Sequence, residues 1–157
     1  MKCKVISISH KPSSWEKEAL QFYLKQLPKH IKISSVDVKP NSSKSMDQSL
    51  ILDAECNEVL RHINKTEYTI LWDRLGKKIS SHGFADLIQD KADAGQDINF
   101  IIGGALGASD HLFQSSQLVL SASDLTFPHR LFKIFLIEQI YRACSIKNNH
   151  PITNNDF

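Results

Sequence analysis

The stretch NFIIGGALGASDHL, residues 99–112, sets glycines at 103, 104 and 107 directly behind a run of apolar, strand-forming residues. A strand that ends in glycines and passes into a helix lets backbone approach a small ligand closely, because no Cβ stands in the way. The spacing excludes two familiar phosphate cradles. It is not GxGxxG, and the first strand-to-helix turn, where a dinucleotide fold carries that fingerprint, holds no glycine. No Lys-Ser/Thr pair follows the last glycine as a Walker A loop requires. From these residues alone two readings stand side by side: a ligand loop, or glycines that only turn the chain.

A second stretch, LSASDLTFPHRLFKIFLIEQIYRACSIKNNHP, begins with a loop and continues into a helix expected over 129–146. That helix is apolar nearly all round, with Leu131, Phe132, Ile134, Phe135, Leu136, Ile137, Ile140, Tyr141, Ala143 and Cys144. A surface helix shows one apolar stripe, so this one is expected to be buried on two sides. Either a second subunit covers it, giving a self-complementary dimer, or it is the central helix of a monomer.

Other chemistry finds little support. Cys3, Cys56 and Cys144 form no CxxC and no zinc-finger spacing, which favours free buried thiols in a reducing cytoplasm. The seven histidines include no HxH or HExxH, so no metal site is expected. A net charge of +2 over 157 residues is small for a protein that grips nucleic acid unaided. Any such partner is recognised with help or through a local patch. No apolar run approaches the roughly 18 residues of a membrane span. The start MKCKVISISHK reads as a first strand, not a signal peptide.

The elements that must position these loops alternate. Strands are expected at 4–9, 31–38, 68–73, 98–102 and 118–123, with helices at 13–27, from Ser45 onward, over the SHGFADLIQDKADAG segment, near 110–116 and at 129–146. Ser13 and Glu16 have capping-box spacing, and so do Ser45 and Gln48. A turn is expected at RLGKK, and Gly95 ends the third helix. Strands separated by helices over short loops indicate an α/β fold, a helix-covered parallel sheet forming one domain over 1–157.

With LWDRLGK, IGGALG, LSASDLTFPH, EQIYRA and a closing NHP in order, the chain resembles the ribosomal RNA large-subunit methyltransferase H family of the SPOUT superfamily, essentially end to end. The resemblance implies a single-domain parallel-sheet sandwich whose C-terminal part is tucked into a deep trefoil knot. Pattern reasoning alone would have chosen an unknotted sheet. It further implies S-adenosylmethionine as methyl donor, a cytoplasmic homodimer, and N3 of a pseudouridine in 23S rRNA as substrate, reached in the assembled ribosome.

The implied donor site comprises Trp72, at a usually aliphatic family position, with Gly103, Gly104 and Gly107 and the loop Ser123, Asp124, Leu125, Thr126, Phe127 and Pro128. Transfer to an imide nitrogen needs alignment and help with a proton. His129 and His150 are candidates for the proton, and Arg142 for a phosphate or a uracil carbonyl. At the same time His129 can simply satisfy local backbone, and Arg142 can pair with Glu138 one turn earlier. The chain departs from the family at its end. Where relatives close with His-Pro-Tyr-His and a basic residue, this one reads His150-Pro151-Ile152-Thr153-Asn154-Asn155-Asp156-Phe157. A knotted protein that binds donor and RNA but has altered or weak activity is the alternative this departure raises.

Overall fold

Apolar runs become strands here because each is short, β-branched and bounded by turn residues. The computed structural model describes residues 1–41, 45 and 47–148. Along it run β1 (Lys2–Ile8), α1 (Ser14–Leu24), β2 (Lys32–Val38), α2 (Gln48–Leu60), β3 (Tyr68–Lys78), α3 (Ser81–Asp93), β4 (Ile98–Ile102), α4 (Asp110–Ser115), β5 (Leu118–Ser121) and α5 (His129–Lys147). The strands form one five-stranded sheet in the order β2-β1-β4-β3-β5, and every pairing is parallel. The expected α/β sheet is therefore present.

Alternation along the strands divides the core in two. Val5, Ile70, Trp72, Phe100 and Ile102 point to one face, where Phe84 and Ile88 of α3 and Phe132, Leu136 and Ile140 of α5 cover them. Ile6, Ile8, Leu71 and Ile101 point to the other, against Cys56 and Val59 of α2 and Leu112 of α4. Both faces are buried, which is why the strands read as continuous apolar runs.

The structure changes three expectations. First, α2 starts at Gln48 with Asp47 as its N-cap, so Ser45 is not the cap. Second, RLGKK is not a simple turn. β3 continues to Lys78, but its register on β5 jumps, so that Trp72 and Lys77 both sit opposite Leu120. Third, the all-round apolarity of α5 is largely explained within one chain. The sheet lies beneath it, and α1 and α3 pack along its two sides. On α5 and its neighbour α1 the large apolar side chains left exposed are Leu131, Trp15 and Phe22.

Of the three thiols expected to be buried, Cys3 and Cys56 are, while Cys144 is half-buried. Cys3, Cys56 and Cys144 are free. Burial pushes the Cys3 thiol up to about 12 and raises Cys144 as well, so both stay protonated and inert.

At the amino edge of the sheet Glu67 ties three strands together. Its carboxylate accepts from the Asn64 N–H at 3.0 Å, Asn99 Nδ2 at 2.8 Å and Lys4 Nζ at 3.4 Å. Partial burial pushes its pKa up, but these hydrogen bonds and the lysine outweigh that, and the net result lies below the usual glutamate value. A depressed pKa gives stability that is present above the unfolded glutamate pKa and lost as the pH falls through the folded one. Glu67→Gln is thus expected to lower stability by about 1 kcal/mol at neutral pH. The gap to wild type should close below the carboxylate range, as denaturant melts at several pH values would show.

Candidate functional site

The carboxyl ends of β4 and β5 and the point where β3 leaves β4 lie at a common edge, where loops of a parallel sheet usually meet a ligand. Between them lies a cavity of about 390 Å³. The pairing of β3 with β4 ends at Trp72 and Ile102, Ser121 closes β5, and all three line it. The glycine loop and the loop before α5 provide its other walls.

In the glycine loop the Gly107 N–H donates to the Gly104 carbonyl at 3.0 Å, closing a tight turn with Ala105 and Leu106 at its tip. Gly107 has φ +84°, a conformation that residues with a Cβ adopt only with strain. A Cβ on Gly103 would stand 3.2 Å from the Gly107 carbonyl oxygen, tighter than ordinary contact. The loop is therefore drawn in to a width that side chains would fill.

The facing loop is held by its own hydroxyls. Ser121 Oγ donates to the Ser123 carbonyl at 3.1 Å, and Ser123 Oγ accepts from the Leu125 N–H at 3.0 Å. Phe127 stacks on Phe135 with centroids 5.4 Å apart and also meets Phe132. Pro128 fits the first turn of α5, where its missing N–H is no loss, and its carbonyl accepts from Phe132 at 2.9 Å. Two ion pairs pin that turn: Lys133, itself buried, to Asp37 of β2 at 2.8 Å, and Arg130 to Glu16 at 3.1 Å. Glu16 is buried and also accepts from Ser13 Oγ at 2.9 Å, so the first capping sequence serves the site as well as α1.

Most of the expected residues meet in this one cavity. Trp72, Gly103, Gly104, Gly107, Ser123, Leu125, Thr126, Phe127 and His129 all line it. Asp124 and Pro128 belong to the same loop but are not on the wall: Asp124 is exposed and pairs with Lys78 at 2.5 Å. Arg142 does not reach the cavity of its own chain. It is 13 residues beyond His129 on α5, roughly 20 Å along the axis, and holds Glu138 at 2.6 and 3.0 Å. His150 lies outside the described residues.

Two charged lining residues escaped the sequence reading, Asp73 and Arg74. Both lie where the register of β3 jumps; Asp73 closes the strand expected at 68–73 and Arg74 opens RLGKK, expected as a turn, and neither assignment gave a sign of facing a cavity. Asp73 Oδ1 accepts from the Leu75 N–H at 2.9 Å. Among the described residues no group of three His, Cys, Asp or Glu side chains is placed to hold a metal ion. The cavity thus offers apolar walls, backbone polar groups, one carboxylate, one guanidinium and one imidazole.

Trp72 carries the most informative atom. The residue is only 8% exposed, wedged between Phe84 at 5.5 Å and Phe132 at 5.6 Å. Its indole Nε1–H is buried and has no acceptor among the described residues. A buried donor left unpaired costs about 1–3 kcal/mol. Together with Ala122 it lines both the main cavity and a second one of about 220 Å³ beneath α3 and α5.

The sequence comparisons agree in direction. The family described as "Predicted SPOUT methyltransferase" matches residues 1–152. A protein named ribosomal RNA large subunit methyltransferase H from Caldicellulosiruptor saccharolyticus is 36% identical over 144 residues, covering 91% of this chain and 94% of that protein. Proteins of the same name from Methylobacillus flagellatus and Clostridium botulinum (strain Kyoto) are 32% and 34% identical. Each alignment covers 96% of this chain, with 97% and 98% of the respective relative.

Proposed function

The chain belongs to the SPOUT methyltransferase family, and on that premise we propose that it moves a methyl group from S-adenosylmethionine to N3 of a pseudouridine in 23S ribosomal RNA. One observation carries the reading: the two loops expected to hold the donor, 103–107 and 123–127, face each other across a single cavity at the carboxyl edge of the sheet.

The residues present fit such a donor. The glycine loop is narrowed to a cradle that a Cβ at residue 103 would fill. The Trp72 indole N–H has no acceptor among the described residues, and adenosylmethionine offers several. Asp73 puts a carboxylate on a wall that a cationic ligand would meet. When bound, adenosylmethionine supplies a methyl group on a sulfonium, already activated for in-line displacement. The protein then has to align the nucleotide and take up the imide proton. Backbone of the two loops does the aligning, and His129 at the first turn of α5 is the imidazole on the cavity wall for the proton.

Three finer features belong to this proposal. The C-terminal part of the chain is tucked as a knot, which the return of the loop before α5 against the glycine loop supports. The protein is a cytoplasmic homodimer, supported by the exposed Trp15, Phe22 and Leu131. Arg142 enters a methyl-transfer site only when a second copy presents it, given its place on α5. Among the described residues no helix is long and apolar enough to cross a membrane.

Two measurements test the reading. Calorimetric titration should show one adenosylmethionine site per chain, and no heat would remove the donor. Mass spectrometry of 23S rRNA from cells lacking this protein should show the methylated pseudouridine gone and restored on complementation. Donor binding without that loss would favour the altered-activity alternative raised by the Ile152–Phe157 ending.

A further inference from the structure

The basic side chains near the site are mostly committed. Lys78 is paired with Asp124, Arg130 with Glu16 and Lys133 with Asp37. Arg74 is the lysine or arginine on the cavity wall: among the described lining residues no other appears, and it is exposed with no carboxylate or hydrogen-bond acceptor among the described residues. Its position is no accident of a flexible loop. The register jump between Trp72 and Lys77 lifts Asp73 to Gly76 out of ordinary pairing with β5, and such irregularities commonly re-aim a side chain beside an active site.

The surroundings say which anion it meets. Next to Arg74, Leu75 is 77% exposed. Across the mouth Leu125 is 75% exposed and Leu106 stands at the tip of the glycine turn, both on the cavity wall. A cation beside apolar lips matches a nucleotide, whose base has apolar faces and whose phosphate is a fixed anion. A free guanidinium is a poor neighbour for a sulfonium, so inside the pocket it would work against the donor, while at the rim it attracts the polyanion.

Resting on the function proposed above, we propose that Arg74 is the phosphate-binding residue of the RNA site, holding the backbone next to the target nucleotide while its base enters between Leu106 and Leu125. Arginine presents a planar fork suited to phosphate oxygens. One such contact releases about one condensed counterion, so it should appear in the salt dependence of RNA binding.

The test uses the full chain with ribosomal subunits from cells lacking it. Wild type, Arg74→Ala and Arg74→Lys are compared for the KM of the subunit, its slope against log salt concentration, and adenosylmethionine affinity by calorimetry, with thermal melts confirming folding. Arg74→Ala should raise the KM for RNA about tenfold and flatten the salt slope by about one, with donor affinity unchanged. Arg74→Lys should recover most of the slope. An unchanged KM and slope in Arg74→Ala overturns the inference, and so does a loss of donor affinity alone, which would give Arg74 to the donor carboxylate. If wild type itself methylates no subunit, the proposed function has failed and this inference falls with it. An active wild type with an indifferent Arg74→Ala sinks the inference only.

Discussion

Trp72→Ala should abolish measurable adenosylmethionine binding and lower stability by about 3–5 kcal/mol, the range for emptying a large buried aromatic site. The indole touches Phe84 and Phe132 and lines cavities of about 390 and 220 Å³. Removing it opens the two spaces toward each other and strips the proposed donor site of a large part of its wall. Trp72→Phe separates packing from hydrogen bonding. The smaller ring loses some contact, but the variant also deletes a buried N–H that has no acceptor among the described residues. These effects oppose each other, so stability should stay within about 1 kcal/mol of wild type. Binding should weaken roughly tenfold if a bound donor accepts from that N–H. Denaturant melts and calorimetric titration read the two quantities apart. A Trp72→Phe protein that binds adenosylmethionine as tightly as wild type would show that the indole contributes shape alone.

The sheet was legible because burial on both faces leaves a plain signature. INFII becomes a fully buried β4, YTILWD lies in β3, and KVISIS lies in β1 except for Ser9 just beyond its end. The two cavity loops were legible unequally: the glycines at 103, 104 and 107 left open a ligand loop or a plain turn, and only the family resemblance paired them with 123–128, although each loop follows directly on a strand. What escaped depends on packing between distant segments. No residue in YTILWD or RLGKK announces that β3 will rejoin β5 opposite a leucine already used, so Asp73 and Arg74 were passed over. The apolar surround of α5 was visible, but its cover was not. Which elements lie beside a helix is set by the sheet order, and α1 and α3 occupy both flanks. For Arg142 the i,i+4 pair with Glu138, offered beside its role at the site, is present.

Gly76→Ala is expected to be the more damaging of two single-methyl changes in this chain, lowering stability by about 2–4 kcal/mol. A Cβ at residue 76 would lie 2.5 Å from the Leu120 carbonyl carbon and 2.7 Å from its nitrogen, so backbone of β5 would have to move. Backbone gives way only by breaking the pairing that sets Lys77 and Lys78 on Leu120 and Ser121. That same pairing fixes the start of the 121–127 wall and the lift of Asp73 and Arg74, so donor affinity should fall with stability. Gly107→Ala is the informative contrast. There a Cβ meets nothing within 4 Å, and the penalty is the positive φ of +84° alone, about 1 kcal/mol. The comparison sets steric exclusion against conformational strain with the same added atom. Equal melting behaviour of the two variants would mean that β3 does not cross the backbone of β5 at residue 76, and that the site owes its shape to the glycine loop and not to the register jump.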